Sequence, residues 1–145
     1  MFPVREMPRA TLALLRSALG VLTGKRVLLL GASYREGISD TRNSPSSYFI
    51  ACAEEEGVVI DIQDPLANEL EDIGRKVQRQ LPNPDGYDAV IFAVAHDTYR
   101  ELEPKKWLGG KTPLIIDANN VLLAEQTCGF RAAGCRVKAV GRGDL

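Results

Sequence analysis

The segment "RVLLLGASYREGISDTRNSP", Arg26 to Pro45, decides the fold. "RVLLL" is a short continuous apolar run, the pattern of a strand buried on both faces rather than one. Gly31 breaks the run and opens a loop that carries Tyr34, Arg35, Asp40 and Arg42. Ser44 and Pro45 then supply an N-cap and a first-turn residue, which predicts a helix through about Glu56 closed by Gly57. A buried strand, a long polar loop and a capped helix in succession begin a parallel α/β unit.

The rest of the chain repeats this alternation. Leu12, Leu15, Leu19 and Leu22 recur at helical spacing and predict a leading helix that ends at Gly24. "VVIDIQDP" reads as a second strand, and Leu66, Leu70, Ile73 and Val77 predict a second amphipathic helix. "YDAVIFAVAH" is a third strand, followed by a short helix and turn in "TYRELEPKKWL". "PLIIDANN" is a fourth strand, residues 121–133 a helix, and "CRVKAVG" a fifth strand. The expected architecture is three-layered and Rossmann-like: a mostly parallel five-stranded sheet with helices on both faces.

Composition excludes several classes. Lys plus Arg total 18 against 19 Asp plus Glu, so no net field recruits nucleic acid or anionic lipid. No apolar run approaches the roughly 20 residues of a bilayer span, and "MFPVREMPR" has no signal-peptide core. Cys52, Cys128 and Cys135 form no CxxC pair and are odd in number, which argues for a reducing, cytoplasmic setting. Cys52 and Cys135 read as small core residues, and no base neighbours Cys128. No metal-ligand cluster is visible.

In parallel sheets ligands bind at the carboxyl ends of strands, so the candidate segments are 31–44, Asp64-Pro65, His96-Asp97 and Asp117 to Asn120. The first loop holds only Gly31 and Gly37, not the G-x-G-x-x-G of a dinucleotide cradle or the G-K-[ST] of a Walker loop. Arg35 and Arg42 remain as bidentate donors to phosphate, alongside the amino end of the Ser44-Pro45 helix. The competing reading for Arg42 is a structural ion pair with Asp40. His96, beside Asp97, is expected to make a structural hydrogen bond, because no nucleophile stands near it in sequence. Asp64 follows Gly31 by 33 residues, beyond the roughly 20 of a ribose-binding carboxylate, and Pro65 gives it a turn role. Trp107 is expected to pack its indole on the sheet.

Gly31, Tyr34, Arg35, Asp40, Arg42, Ser44 and Pro45 together resemble the pattern G-x-x-F-K-x4-D-x-R-x-S-P. That pattern opens the C-terminal domain of the UDP-glucose/GDP-mannose dehydrogenases. Asp64-Pro65, "YDAVIFAVAHDTYREL", "IIDANNVL" and "VGRG" are similar to the segments that follow in this family, and in its order. The resemblance covers roughly residues 11–144 and makes 1–24 the end of an inter-domain helix and 25–145 a nucleotide-sugar-binding domain. Full-length relatives oxidise a sugar C6 alcohol to a carboxylate with NAD through a catalytic cysteine, in the setting of polysaccharide biosynthesis.

Neither the NAD fingerprint nor the cysteine segment appears in these residues, so the resemblance implies no cofactor for this domain alone and no catalytic residue in it. It implies a UDP-sugar or related ligand, and as partner an NAD-binding catalytic half or a second copy. It also implies nucleotide-sugar contacts from Tyr34, Arg35, Arg42 and Asn119. Three of these depart from the family: Tyr34 replaces a Phe, Arg35 replaces a Lys, and Asn119 replaces the Arg of D-x-R-N. Two alternatives stay open. One is a degenerate relative serving association through an apolar surface on the Leu12 to Leu22 helix. The other is an independent module for CoA or NAD.

Overall fold

The computed structural model describes residues 6–33, 37–42 and 44–140. Five parallel strands form the sheet: β1 (Arg26–Leu30), β2 (Val59–Gln63), β5 (Ala89–Phe92), β6 (Leu114–Asp117) and β7 (Val137–Ala139). Their order across the sheet is β2-β1-β5-β6-β7. The chain runs from β1 out to the β2 edge and returns to β5 on the other side of β1. The direction of winding therefore reverses between β1 and β5, the place where open α/β sheets take ligands at the carboxyl ends of their strands. Register aligns Leu30 with Gln63 and Phe92, and Phe92 with Asp117. Gly31, Asp64, Ala93 and Ala118, each the next residue after a strand, are thereby brought to one edge.

Alternate side chains of each strand feed two cores. Val27, Leu29, Ile91 and Ile116 pack under α1 (Glu6–Leu19) and α2 (Pro45–Glu55) through Leu12, Leu15, Phe49 and Ile50. Leu28, Leu30, Phe92 and Ile115 pack under α3 (Asp97–Arg100), α4 (Pro104–Leu108) and α5 (Ala124–Ala132) through Tyr99, Leu108 and Phe130. Each such aliphatic or aromatic side chain contributes roughly 1.5–3 kcal/mol by leaving water. Phe92 sits at the middle of the second core, its ring centroid 5.9 Å from those of Tyr99 and Phe130 and 6.5 Å from that of Trp107. The Trp107 indole, half-buried on this face, donates its Nε1–H to the Pro82 carbonyl at 3.0 Å.

Three expectations need correction. The leading helix stops at Leu19, where the Gly20 N–H closes on the Arg16 carbonyl, and does not continue to Gly24. The amphipathic helix expected from Leu66 to Val77 does not form. That segment is an antiparallel hairpin, β3 (Glu69–Leu70) and β4 (Arg75–Lys76), joined by a single 3-10 turn. Gly74, at φ 62°, lies in the left-handed region and ends the turn where a helix would need to go on. Leu70 and Val77 still reach the core, but Leu66 is exposed. The helix expected at 121–133 begins only at Ala124, because Asp117 gathers the preceding amides into a loop.

The hairpin also dresses the outer margin of β2. Arg75 donates to the Ile60 carbonyl at 2.9 Å and pairs with Glu54. Gln78 donates its N–H to the Ile62 carbonyl and accepts the Asp64 N–H, both at 3.0 Å.

Candidate functional site

Asp64 is the hub of the strand-end edge. It has no exposed surface. Its Oδ1 accepts the N–H groups of Leu66 at 2.8 Å and Ala67 at 3.1 Å, which turns the chain sharply after Pro65. Its Oδ2 accepts the N–H groups of Ala32 at 2.8 Å and Ser33 at 3.1 Å from the loop after β1, and the Nε2 of His96 at 3.0 Å. Burial alone would raise this carboxyl, but the bonds from His96, Ala32 and Leu66 outweigh it and hold the pKa at about 2.

His96 follows β5 and is likewise buried. Its Nδ1 lies 3.1 Å from the Gly37 nitrogen, whose N–H it accepts. A ring nitrogen that accepts a proton donor carries no proton itself, so the bond assigns a neutral imidazole with its hydrogen on Nε2. That hydrogen is shared between Asp64 Oδ2 and Ser33 Oγ, each 3.0 Å away. Both ring nitrogens are therefore engaged inside the protein, and His96 has no edge left for acid–base work on a ligand.

Gly31, at φ 112°, follows β1 and lies directly against Val94 in the chain after β5. A Cβ there would sit 2.6 Å from the Val94 nitrogen, so no other residue fits. Its carbonyl accepts the Ser46 hydroxyl at 2.8 Å, which fastens the start of α2 to the end of β1. Ser44 caps that helix by accepting the Ser46 N–H at 3.1 Å. Ser44, Ser46 and Ser47 are all buried, so the amino end of α2 faces protein and is not an open anion cradle.

One strand over, Asp117 accepts the N–H groups of Asn119 at 3.2 Å and Val121 at 2.8 Å on Oδ1, and of Leu122 at 2.9 Å on Oδ2. Arg100 grips the same loop from α3 through the Val121 and Asn120 carbonyls. Asn119 is exposed and points its amide at the Ala93 carbonyl, 3.4 Å away at the end of β5. On the outside of the first loop, Arg42 makes a two-pronged pair with Asp40, at 3.1 Å on each oxygen. The Arg42 hydrogen bonds hold the Asp40 carboxyl below its ordinary range. Thr41 ties the loop to the hairpin through Glu69 and Glu71.

The structure thus joins Gly31, Asp64 and His96 in one cluster, with Ser44 and Pro45 attached to it through Ser46. It sets Asp117 and Asn119 beside the cluster, and leaves Asp40 and Arg42 at the periphery. Tyr34 and Arg35 lie outside the described residues. Sequence reasoning missed Ser33, Gly37 and Arg100. Gly37 and Ser33 act partly through backbone N–H groups, which every residue of this loop has, so nothing in the sequence singles them out. A cavity of about 640 Å³ between Pro104 and Gln126 lies on the α4–α5 flank and not at this edge.

Among the described residues, none of the cysteines lies in this cluster. Cys52 packs half-buried in α2, Cys128 is exposed on α5, and Cys135 is buried before β7 with its thiol pushed up by burial. The Asp64 carboxylate is sealed from solvent and engaged by protein donors on both oxygens. The leucines that would make the leading helix adhesive are spent as well: Leu12, Leu15 and Leu22 are buried in the domain's own core. No helix among the described residues is long and apolar enough to cross a membrane.

Comparison with known proteins agrees with this architecture. Residues 28–124 match the model of the UDP-glucose/GDP-mannose dehydrogenase family, UDP binding domain. The UDP-glucose 6-dehydrogenase of Rickettsia bellii is 30% identical over 121 residues, 76% of this chain and 27% of the relative. The UDP-N-acetyl-D-mannosamine dehydrogenase of Methanococcus vannielii is 28% identical over 124 residues, 81% of this chain and 27% of the relative. Among solved structures, the NDP-N-acetyl-D-galactosaminuronic acid dehydrogenase from Methanosarcina mazei Go1 superposes with a TM-score of 0.75 at 26% identity. That superposition covers 94% of this chain and 28% of the other. The chain therefore spans about a quarter of the length of the relatives it matches.

Proposed function

The chain belongs to the UDP-glucose/GDP-mannose dehydrogenase family, and from that premise we propose that it binds a UDP-sugar at the carboxyl ends of β1 and β5. The observation that carries this reading is the anchoring of the first loop on both sides of Tyr34 and Arg35. Asp64 holds Ala32 and Ser33 before them, and His96 holds Gly37 after them. Tyr34 offers a flat face to the nucleotide and Arg35 a guanidinium to the diphosphate. Asn119 lines the neighbouring wall with an amide in place of a cation, which weakens the hold on phosphate. Arg42, already satisfied by Asp40, supports the loop at a distance.

The oxidation itself belongs to a larger assembly on this reading. Residues 25–145 hold the substrate's nucleotide, and residues 1–24 join them to an NAD-binding catalytic half or to a second copy. That half supplies the cofactor and the catalytic cysteine. The cytoplasm, where thiols such as Cys52, Cys128 and Cys135 stay reduced, is the compartment it implies.

Calorimetry with UDP, UDP-glucose and NAD tests the binding directly. Saturable heat is expected for the uridine ligands and none for NAD. Arg35→Ala should weaken UDP about tenfold, the effect of losing one ionic hydrogen bond. No heat from wild type with millimolar UDP or UDP-glucose would end the proposal.

A further inference from the structure

We propose that Arg100 is a positioning residue for the nucleotide-sugar site, setting Asn119 across the end of β5 without itself touching the ligand. The inference rests on the UDP-sugar reading, in which Asn119 lines one wall. The turn that carries Asn119 is held from two elements. From β6, Asp117 takes up the N–H groups of Asn119, Val121 and Leu122. From the last turn of α3, Arg100 takes up carbonyls: its Nε donates to Val121 at 2.9 Å and its Nη2 to Asn120 at 3.0 Å. A guanidinium is a planar fork, so this pair of bonds fixes the orientation of two successive peptide groups and not only their distance. Asn120 needs that hold. At φ 53° it is the one non-glycine among the described residues in the left-handed region, a conformation that surrounding contacts have to enforce. Its backbone rotation decides how Asn119 projects from the anchored Val121. The side-chain bond of Asn119 to the Ala93 carbonyl is long, at 3.4 Å, so the main chain does most to place it.

Arg100 is not what docks α3. The neighbouring Tyr99 is buried, and Gln126 donates its Nε2–H groups to the Tyr99 and Leu102 carbonyls at 2.8 and 2.9 Å. Arg100 is itself exposed, so its removal leaves the core in place. The 145-residue chain and four variants are followed by thermal melting and by calorimetric titration with UDP-glucose. Arg100→Ala should melt within about 3 °C of wild type and bind about fivefold more weakly. Arg100→Lys should stay about threefold weak, because an ammonium keeps the charge but not the fork. Asn119→Ala should also cost about fivefold, the effect of losing one hydrogen bond. The decisive variant combines Arg100→Ala with Asn119→Ala. If Arg100 acts through Asn119, the double variant is no weaker than about fivefold, whereas independent contributions multiply to about 25-fold.

Multiplying effects in the double variant overturn the proposal, since Arg100 would then meet the ligand by itself. Full affinity in Arg100→Lys overturns it too, because charge alone would be the arginine's contribution. A fall of about 10 °C or more in Arg100→Ala, with affinity lost alongside, marks a structural arginine and has the same consequence. Wild type that binds UDP-glucose, with Arg100→Ala or Asn119→Ala binding as tightly, overturns the positioning role and leaves the function standing. Wild type that ignores UDP-glucose overturns the function reading and the positioning role together.

Discussion

Asp64 and Asp117 lie at the carboxyl ends of β2 and β6, with β1 and β5 between them, and both are buried carboxylates that collect backbone N–H groups. They differ in whose amides they collect. Among the described residues, Asp117 takes only those of its own loop, Asn119, Val121 and Leu122. Asp64 takes two from its own turn, two from the loop after β1, and a side-chain donor from the loop after β5. One carboxylate shapes a loop. The other fastens three chain segments into a single edge. The lesson is that a charged residue at a strand end is informative through its sequence separation from its donors, not through its identity.

Substitution at Asp64 should break this contrast most severely. Asp64→Asn leaves buried N–H groups facing an amide, and a loss of about 3 kcal/mol or more is expected in urea unfolding. Hydrogen-exchange protection should vanish at Ala32, Ser33 and Leu66 while persisting at Val121 and Leu122. Acid sharpens the same point. The Asp64 carboxyl is held near 2 in the folded chain against an ordinary 3.8, so its stabilisation is complete above about pH 4. As pH falls from there through about 2 the stabilisation drains away, roughly 2 kcal/mol in all, and Asp64→Asn should lack that part of the acid transition.

Asp117→Asn is the milder counterpart. A cost of about 1–2 kcal/mol is expected, with exchange rising at Asn119, Val121 and Leu122 and unchanged at Ala32 and Ser33. Smallest of all is Arg42→Ala. The pair with Asp40 is solvent-exposed, and its removal should alter unfolding free energy by less than about 0.5 kcal/mol. Any larger fall in UDP affinity in that variant would then assign Arg42 to the ligand.

Much of the sheet was legible because strand formation here is a local property. "RVLLL", "AVIF" and "LIID" are continuous apolar runs, and burial on both faces is what such runs require. The hairpin at 69–76 was misread because Leu66, Leu70, Ile73 and Val77 imitate a helical stripe. Gly74 was the available warning, but its backbone conformation depends on tertiary pairing of Glu69 with Lys76. The strand-end residues Asp64, His96 and Asp117 were legible as candidates. Their partnerships were not, since 32 residues separate His96 from Asp64 and no periodicity reports such a contact. The helix start at Ser44-Pro45 was read correctly as a cap, whereas its burial against Gly31, which closes it to anions, is again a product of topology.

The hairpin that replaced the expected helix has one more consequence. Open parallel sheets carry a hazard at their outermost strand, where unpaired main-chain groups invite the strands of other molecules. Here Arg75 and Gln78 already occupy the Ile60 and Ile62 oxygens. An incoming chain would have to evict a guanidinium that Glu54 also retains. On that flank the domain is guarded against fibril growth, a protection a helix lying across the face would not have supplied.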